Sequence, residues 1–308
     1  MPSTVLSCPN CRRLTHADEL ERLAAEASAA WKKGDMRREH ELWSRSVALL
    51  PQDTVQYRSI RARLDELDPV VTRQRSNGLG KAGIGIGPAL ILLFSKGKLL
   101  LLGLTKMGTL LTMLASLGVY WSIYGWAFAL GMVLSIYIHE MGHMITIMRY
   151  GLPATAPMFI PGIGAFIRLH GVRLAPVPNA RIGLAGPIYG LGAALTALGF
   201  YLATHAKIWG VIANFGAVVN LFNLIPVWQL DGSRGLASLT RGQRGVVLFA
   251  AGTLWLATSV PMLLLIAAVT AYRMFTKDWA DEPDQQGLMQ FAGLLVALTA
   301  VAVFAPVK

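Results

Sequence analysis

The sequence predicts an all-α polytopic membrane protein with a small soluble helical module at its N-terminus. Of 308 residues, 54% are hydrophobic and only 15% are charged, with a mean hydropathy of +0.49, whereas a soluble domain carries about 25% charged residues. Residues 1–81 hold 14 basic and 11 acidic residues, and residues 82–308 hold 14 basic and 6 acidic ones. Sparse positive charge in an apolar region is typical of cytoplasmic loops between membrane spans. We therefore expect the lipid bilayer as a partner, and no nucleic acid.

The N-terminal segment, residues 1–16, contains the only two cysteines of the chain, Cys8 and Cys11. Two cysteines cannot build a disulfide framework, which suits a reducing compartment. Their C-x-x-C spacing supplies half of a zinc-ribbon ligand set, so a second metal site and a turn with free thiols are both open readings. The first 25 residues lack the apolar core of a cleaved secretory signal.

Residues 17–68 are predicted to form three soluble helices. Apolar residues recur near the 3.6-residue period from Leu20 to Trp31, and Gly34 with Asp35 interrupts the run. The pattern resembles one tetratricopeptide-type unit, but a plain helical hairpin explains it equally well. A cytosolic protein partner of this module is one prediction. Residues 69–98 are interpreted as a basic linker followed by an interfacial segment.

The remainder of the chain is predicted to cross the membrane six times. A span needs about 20 apolar residues, and suitable segments lie near 99–117, 125–148, 183–203, 208–226, 245–270 and 287–305. With the N-terminal module in the cytosol, seven arginines lie inside, while Lys207 and the loop at 273–284 lie outside. This obeys the positive-inside tendency. It predicts a multi-pass protein of the cell (inner) membrane with both ends cytosolic.

The second predicted span contains an H-E-x-x-H motif formed by His139, Glu140 and His143. Residues four apart on a helix share a face, so both imidazoles can bind one metal ion, and the intervening carboxylate can take a proton from a metal-bound water. Three ionisable side chains are costly in a membrane helix. The structural alternative is a buried polar cluster that serves helix packing.

A catalytic zinc site needs a third protein ligand. The loop containing Asp278 to Asp284 is assigned to the opposite side of the membrane, which leaves Asp231 at the cytosolic end of the fourth span. Asp231 therefore becomes the candidate third ligand. Its alternative role is to cap the helix that follows.

These motifs together resemble the site-2 protease family of intramembrane zinc metalloproteases. The resemblance covers about residues 99–245 and rests on H-E-x-G-H, on Ala185-Gly186-Pro187 and on Asn223-x-x-Pro-x-x-x-Leu-Asp231-Gly. It implies a 99–308 protease domain in which His139, His143 and Asp231 hold Zn²⁺ and Glu140 is the general base and acid. The implied substrate is a transmembrane protein, cut inside the bilayer close to the cytosolic face.

Two further features concern how a substrate would be held. Family members often carry Asn three residues after the Gly-Pro motif, where this chain has Gly190, so that motif receives no substrate-positioning role. Asn223 matches a family position and could orient the substrate, or it could satisfy an unwound helix end. Residues 153–169 could form a short re-entrant β-hairpin that pairs with an extended substrate, or a surface loop. The rival functions are a non-catalytic membrane scaffold and a metal transporter that uses the same ligands.

Overall fold

The computed structural model describes residues 6, 14–76, 107–153, 158–160, 164–166, 172–276 and 278–305. Cys8, Cys11 and the predicted interfacial segment lie outside these residues. The described helices are α1 Ala17–Lys33, α2 Met36–Ala48, α3 Val55–Ser76, α4 Met107–Tyr124, α5 Trp126–Arg149, α6 Pro176–Thr204, α7 Lys207–Asn223, α8 Asp231–Ala237, α9 Arg241–Thr258, α10 Pro261–Arg273 and α11 Gln285–Phe304. Two strands, β1 Met158–Ile160 and β2 Gly164–Phe166, complete the described elements. The chain forms two compact units.

The first unit consists of residues 1–81 together with the short segments 149–153 and 169–178. Gly34 ends α1 with a left-handed φ of 75°, and Asp35 caps α2 by accepting a hydrogen bond from the Arg38 backbone N–H at 3.0 Å. Leu23, Ala27 and Leu42 form the buried core between these helices. Glycine is favoured at this turn because it adopts positive φ without a steric cost.

Helix α3 continues to Ser76, so the linker predicted from residue 69 begins inside a helix. Pro69 lies within α3 and removes one backbone hydrogen bond, at a cost of about 3 kcal/mol. Val70 and Val71 directly after it are buried, and burial of one such side chain contributes about 1.5–3 kcal/mol. Tertiary packing therefore offsets the cost of the proline.

The second unit contains the apolar helices. Among the described residues, three helices are long and apolar enough to cross a membrane, namely α5, α6 and α11. The shorter helices α7, α9 and α10 pack against them around a common apolar core, whose largest members include Leu184, Leu221, Leu236, Ile266 and Phe291. The chain thus has the architecture of a membrane protein.

The single span predicted at about 245–270 is wrong, because the chain forms two helices there. Ser259 ends α9 in the left-handed conformation with φ of 56°, and Pro261 is the first residue of α10. Proline suits the first turn of a helix and pushes the preceding residue toward extended geometry, as Val260 shows with ψ of 115°. Helices α9 and α10 then pack directly against each other.

This reversal of chain direction changes the position of residues 273–284, called the acidic loop below. Arg273 at the end of α10 donates to the Pro226 carbonyl at 3.1 Å and to Ser233 Oγ at 3.0 Å, on either side of Asp231 in the sequence. Asp284 pairs with Arg181 at the other end of the same loop. The prediction that residues 273–284 lie on the opposite side from Asp231 is therefore wrong. The exclusion of Asp278 to Asp284 as metal ligands on that ground is wrong as well.

The two short strands form an antiparallel hairpin in the segment where the sequence predicts one. Met158 pairs with Phe166, and Ile160 pairs with Gly164. Helix α4 contacts strand β1. Within the described residues, each strand pairs with the other strand alone.

Candidate metal centre

The centre is built from two helices and a loop that meet inside the second unit. His139, Glu140 and His143 lie on α5, and Asp231 is the first residue of α8. These four residues are buried, with exposed fractions between 5% and 8%. Within the described part of the chain, His139, His143 and Asp231 are the one group of three ligand residues close enough to hold a metal ion.

The donor atoms of the three ligand residues, called the ligand triangle below, lie at nearly equal distances from one another, with each histidine nearest a different oxygen of Asp231. His139 Nε2 and His143 Nε2 are 3.1 Å apart, His139 Nε2 and Asp231 Oδ2 are 3.1 Å apart, and His143 Nε2 and Asp231 Oδ1 are 3.2 Å apart. Tetrahedral coordination with bonds of about 2.05 Å places neighbouring ligand atoms about 3.3 Å apart. The observed separations are within a few tenths of an ångström of this value, so the ligand triangle has the size that a single tetrahedral ion requires.

Hydrogen bonds on the far side of each imidazole fix its tautomer. His139 Nδ1 lies 2.8 Å from Asn220 Oδ1, and His143 Nδ1 lies 2.7 Å from the Ile182 carbonyl oxygen. Since these oxygens can only accept, each Nδ1 carries the proton and each Nε2 presents its lone pair to the other ligands. This is the arrangement that orients metal-ligating histidines.

The Asp231 carboxylate is a ligand candidate by position rather than a helix cap. The N-cap of α8 is Leu230, and no side chain caps that helix, which removes the alternative role left open by the sequence. A methyl group on Gly232 would lie 1.9 Å from the Leu224 carbonyl oxygen. Only glycine therefore allows the close turn that carries the chain from Asn223 to Asp231.

Glycines let the backbone of α6 approach the ligands on α5. A methyl group on Gly142 would lie 2.5 Å from the Ala185 carbonyl oxygen, and one on Gly186 would lie 2.2 Å from His143 Nε2. The motif Ala185-Gly186-Pro187 lies inside α6, which begins at Pro176, before the start of the span predicted at 183–203. Within this motif, Gly186 leaves the space that the rings of His139 and His143 occupy.

Glu140 is buried beside the ligand triangle. Within the described part of the chain, no hydrogen-bond donor contacts its carboxylate. Its oxygen lone pairs are therefore available for a proton. Asn223 lies close by, with Nδ2 3.5 Å from His139 Nε2, so the structure brings all five predicted residues of the centre together.

Sequence reasoning missed several groups that support the ligands. Asn220 orients His139, and the Ile182 carbonyl orients His143. Arg181, next to Ile182, forms a buried bidentate pair with Asp284, with distances of 2.9 and 2.5 Å. The signal for Asn220 was an amide in an apolar helix, one of three asparagines there, whereas a backbone carbonyl leaves no trace in a sequence.

The acidic loop forms ion pairs at the same end of the unit. Arg244, whose side chain is fully buried, donates to Asp278 Oδ1 at 2.6 Å, and Arg273 also pairs with Asp278. Burial alone would raise the pKa of Asp278, but hydrogen bonds from Arg244, Thr276 and Arg273 lower it to about 2. Asp278 and Asp284 of the loop are therefore paired with arginines.

No protein-family model, curated protein or solved structure matches this chain. The functional conclusion therefore depends on the geometry of the metal centre and on the motifs that form it.

Proposed function

We propose that this protein is an intramembrane zinc endopeptidase of the site-2 protease type, which hydrolyses peptide bonds in or near transmembrane segments of membrane-protein substrates. The observation that carries the proposal is the ligand triangle of His139, His143 and Asp231, with both Nε2 atoms turned toward it and Glu140 buried beside it. A pair of histidines with one carboxylate is a ligand set of catalytic zinc sites.

The chemistry divides between the metal and the chain. Zinc bound to the three ligands would lower the pKa of a bound water to about 7 and polarise the scissile carbonyl. Glu140 accepts the proton of the attacking water and passes it to the leaving amide nitrogen. Burial of Glu140 supports this role because bulk water competes little for the lone pairs of its carboxylate.

The depth of the centre supports cleavage near one membrane face. Helix α5 ends at Arg149, six residues after His143, which corresponds to about 9 Å along the helix axis. Arg181, Arg234, Arg244 and Arg273 lie near this same end of the unit, through their contacts around Asp231 and the acidic loop. We assign this arginine-rich end to the cytosolic face of the cell (inner) membrane.

Substrate binding is assigned to Asn223 and to the hairpin. Asn223 Nδ2 lies close enough to the ligand triangle to donate to a carbonyl held there. The outer edge of the β1–β2 hairpin offers backbone groups to which an extended substrate segment could add as a further strand.

The N-terminal helices are proposed to bind a cytosolic partner and to influence the protease. Gln74 Nε2 on α3 donates to the Tyr150 carbonyl oxygen at 2.8 Å, directly after the end of α5. Arg63 on the same helix reaches the Arg173 carbonyl oxygen at 3.4 Å. These contacts within the first unit tie the module to both segments that flank the hairpin.

The test compares Glu140→Gln with wild type and with Glu282→Gln, an exposed glutamate of the acidic loop. We expect the purified wild-type chain to contain about one zinc and Glu140→Gln to retain it while losing cleavage of a transmembrane substrate. Glu282→Gln should cut normally. Retained cleavage by Glu140→Gln contradicts the assigned base, and a wild type that transports metal or never cuts favours a transporter or a scaffold.

A further inference from the structure

We propose that Asn220 is a positioning residue of the metal centre and that Gly190 is the position that admits its amide. The inference rests on the metal site of the proposed function, but it does not depend on whether that site performs proteolysis.

The amide of Asn220 is held at both ends. Its Oδ1 accepts the hydrogen bond from His139 Nδ1 at 2.8 Å, and its Nδ2 donates to the Gly216 carbonyl oxygen, one turn earlier on α7, at 2.7 Å. A flipped amide would set its NH₂ against a donor and its oxygen against a carbonyl, so the orientation is fixed. Asn220 is 2% exposed, and water does not compete for these bonds. The consequence is a His139 ring locked with Nε2 toward Asp231.

Gly190 on α6 faces this amide directly. A methyl group added to Gly190 would lie 2.2 Å from Asn220 Oδ1, 2.4 Å from Nδ2 and 2.5 Å from Cγ. These values are far shorter than any contact that a real side chain makes. No residue other than glycine can therefore stand at position 190 while Asn220 holds its present conformation.

The same distances show that the two positions are alternatives for one amide. In an asparagine, Oδ1 lies about 2.4 Å from Cβ by standard bond lengths, close to the 2.2 Å between the added Cβ at position 190 and Asn220 Oδ1. An asparagine at position 190 could thus place its oxygen where that of Asn220 lies. In this chain the amide comes from α7, and the glycine on α6 leaves the space for it.

Asn214 provides a matched control on the same helix. It is also partly buried, and its Nδ2 donates to the Ala302 carbonyl oxygen at 2.7 Å, so it links α7 to α11 without touching a ligand. Truncation of Asn214 removes an amide and a helix contact, as truncation of Asn220 does, but leaves His139 unaltered.

The experiment measures Zn²⁺ affinity by chelator competition on the full chain purified in detergent, with the visible absorption of the Co²⁺-loaded protein as a probe of ligand geometry. Asn220→Ala should weaken zinc binding about 10–100-fold, the usual effect of losing a partner of a ligating histidine. Asn220→Asp keeps an acceptor for His139 Nδ1 but sets its second oxygen against the Gly216 carbonyl, so it should bind zinc more tightly than Asn220→Ala and less tightly than wild type. Asn214→Ala should match wild type.

The decisive pair is Gly190→Asn alone and combined with Asn220→Ala. Alone, Gly190→Asn should lose zinc because two amides compete for one space, and the double variant should regain affinity and the wild-type Co²⁺ spectrum. Wild-type affinity in Asn220→Ala, or a folded double variant that binds no more tightly than Asn220→Ala, overturns the proposal. A wild type that binds no metal overturns the proposed function, whereas one that binds metal but cuts nothing leaves the assignment of Asn220 intact.

Discussion

Gly186 is the position where one added methyl group tests the metal centre most directly. The Cβ of Gly186→Ala would lie 2.2 Å from His143 Nε2, 2.5 Å from His143 Cε1 and 2.7 Å from His139 Nε2. Ordinary contact begins at about 3.4 Å, so the His143 ring would have to move by about 1.2 Å. Metal–ligand distances tolerate about 0.2 Å. We therefore expect zinc affinity to fall at least 100-fold, beyond the effect of losing an outer partner.

The assay is zinc content after dialysis against a graded chelator series, read together with thermal unfolding. Gly192→Ala is the control, because it lies on the same helix and its added methyl group meets no atom within 4 Å. Alanine replaces glycine in a helix with a gain of about 1 kcal/mol, so Gly192→Ala should keep zinc and unfold at a slightly higher temperature. Wild-type zinc affinity in a folded Gly186→Ala protein would refute the ligand geometry.

Three further predictions concern the ligand carboxylate, the acidic loop and a helix turn. Asp231→Asn should lower zinc retention in the same dialysis assay, and unchanged zinc content would remove Asp231 from the ligand set. Asp278→Asn should destabilise the protein by about 1 kcal/mol at pH 7, a value discounted because the carboxylate is partly exposed. Since folding lowers the pKa of Asp278 to about 2, the stabilisation from its carboxylate is present above about pH 4 and is lost as pH falls toward 2. The unfolding free energies of wild type and Asp278→Asn should therefore converge in acid. A difference that stays constant with pH would contradict this. Ser259→Gly should raise stability by about 1 kcal/mol in thermal unfolding, because Ser259 has a left-handed φ of 56°, and an unchanged or lower unfolding temperature would show that the turn carries no strain.

The ligand set could be predicted because its chemistry is local or scarce. His139 and His143 are four residues apart on one helix, and this spacing alone places them on one face. Asp231 was found because carboxylates are rare in this apolar region. The reason given for excluding the acidic loop was nevertheless wrong, since that loop lies at the same end as Asp231. Two of its carboxylates are instead paired with arginines, Asp284 with Arg181 and Asp278 with Arg244 and Arg273.

The error in the helix count has a local cause. The apolar run at 245–270 has the composition of one long span, and hydropathy does not register a reversal of direction. Ser259 and Pro261 are the residues that indicate a turn. The chain reverses direction there because α9 and α10 can pack their apolar faces against each other. Pro69 shows the opposite outcome, because packing of Val70 and Val71 carries α3 through a residue that usually ends a helix.

By itself, the sequence determined that the chain is apolar and helical and that His139, Glu140 and His143 share a helix, because composition and the 3.6-residue period act over short stretches. Only the tertiary structure decided what surrounds them. The partner of His139 is an amide 81 residues away, the space for it is a missing side chain at Gly190, and the partner of His143 is a backbone carbonyl. Such groups are defined by distances between helices, and distances between helices are set by packing.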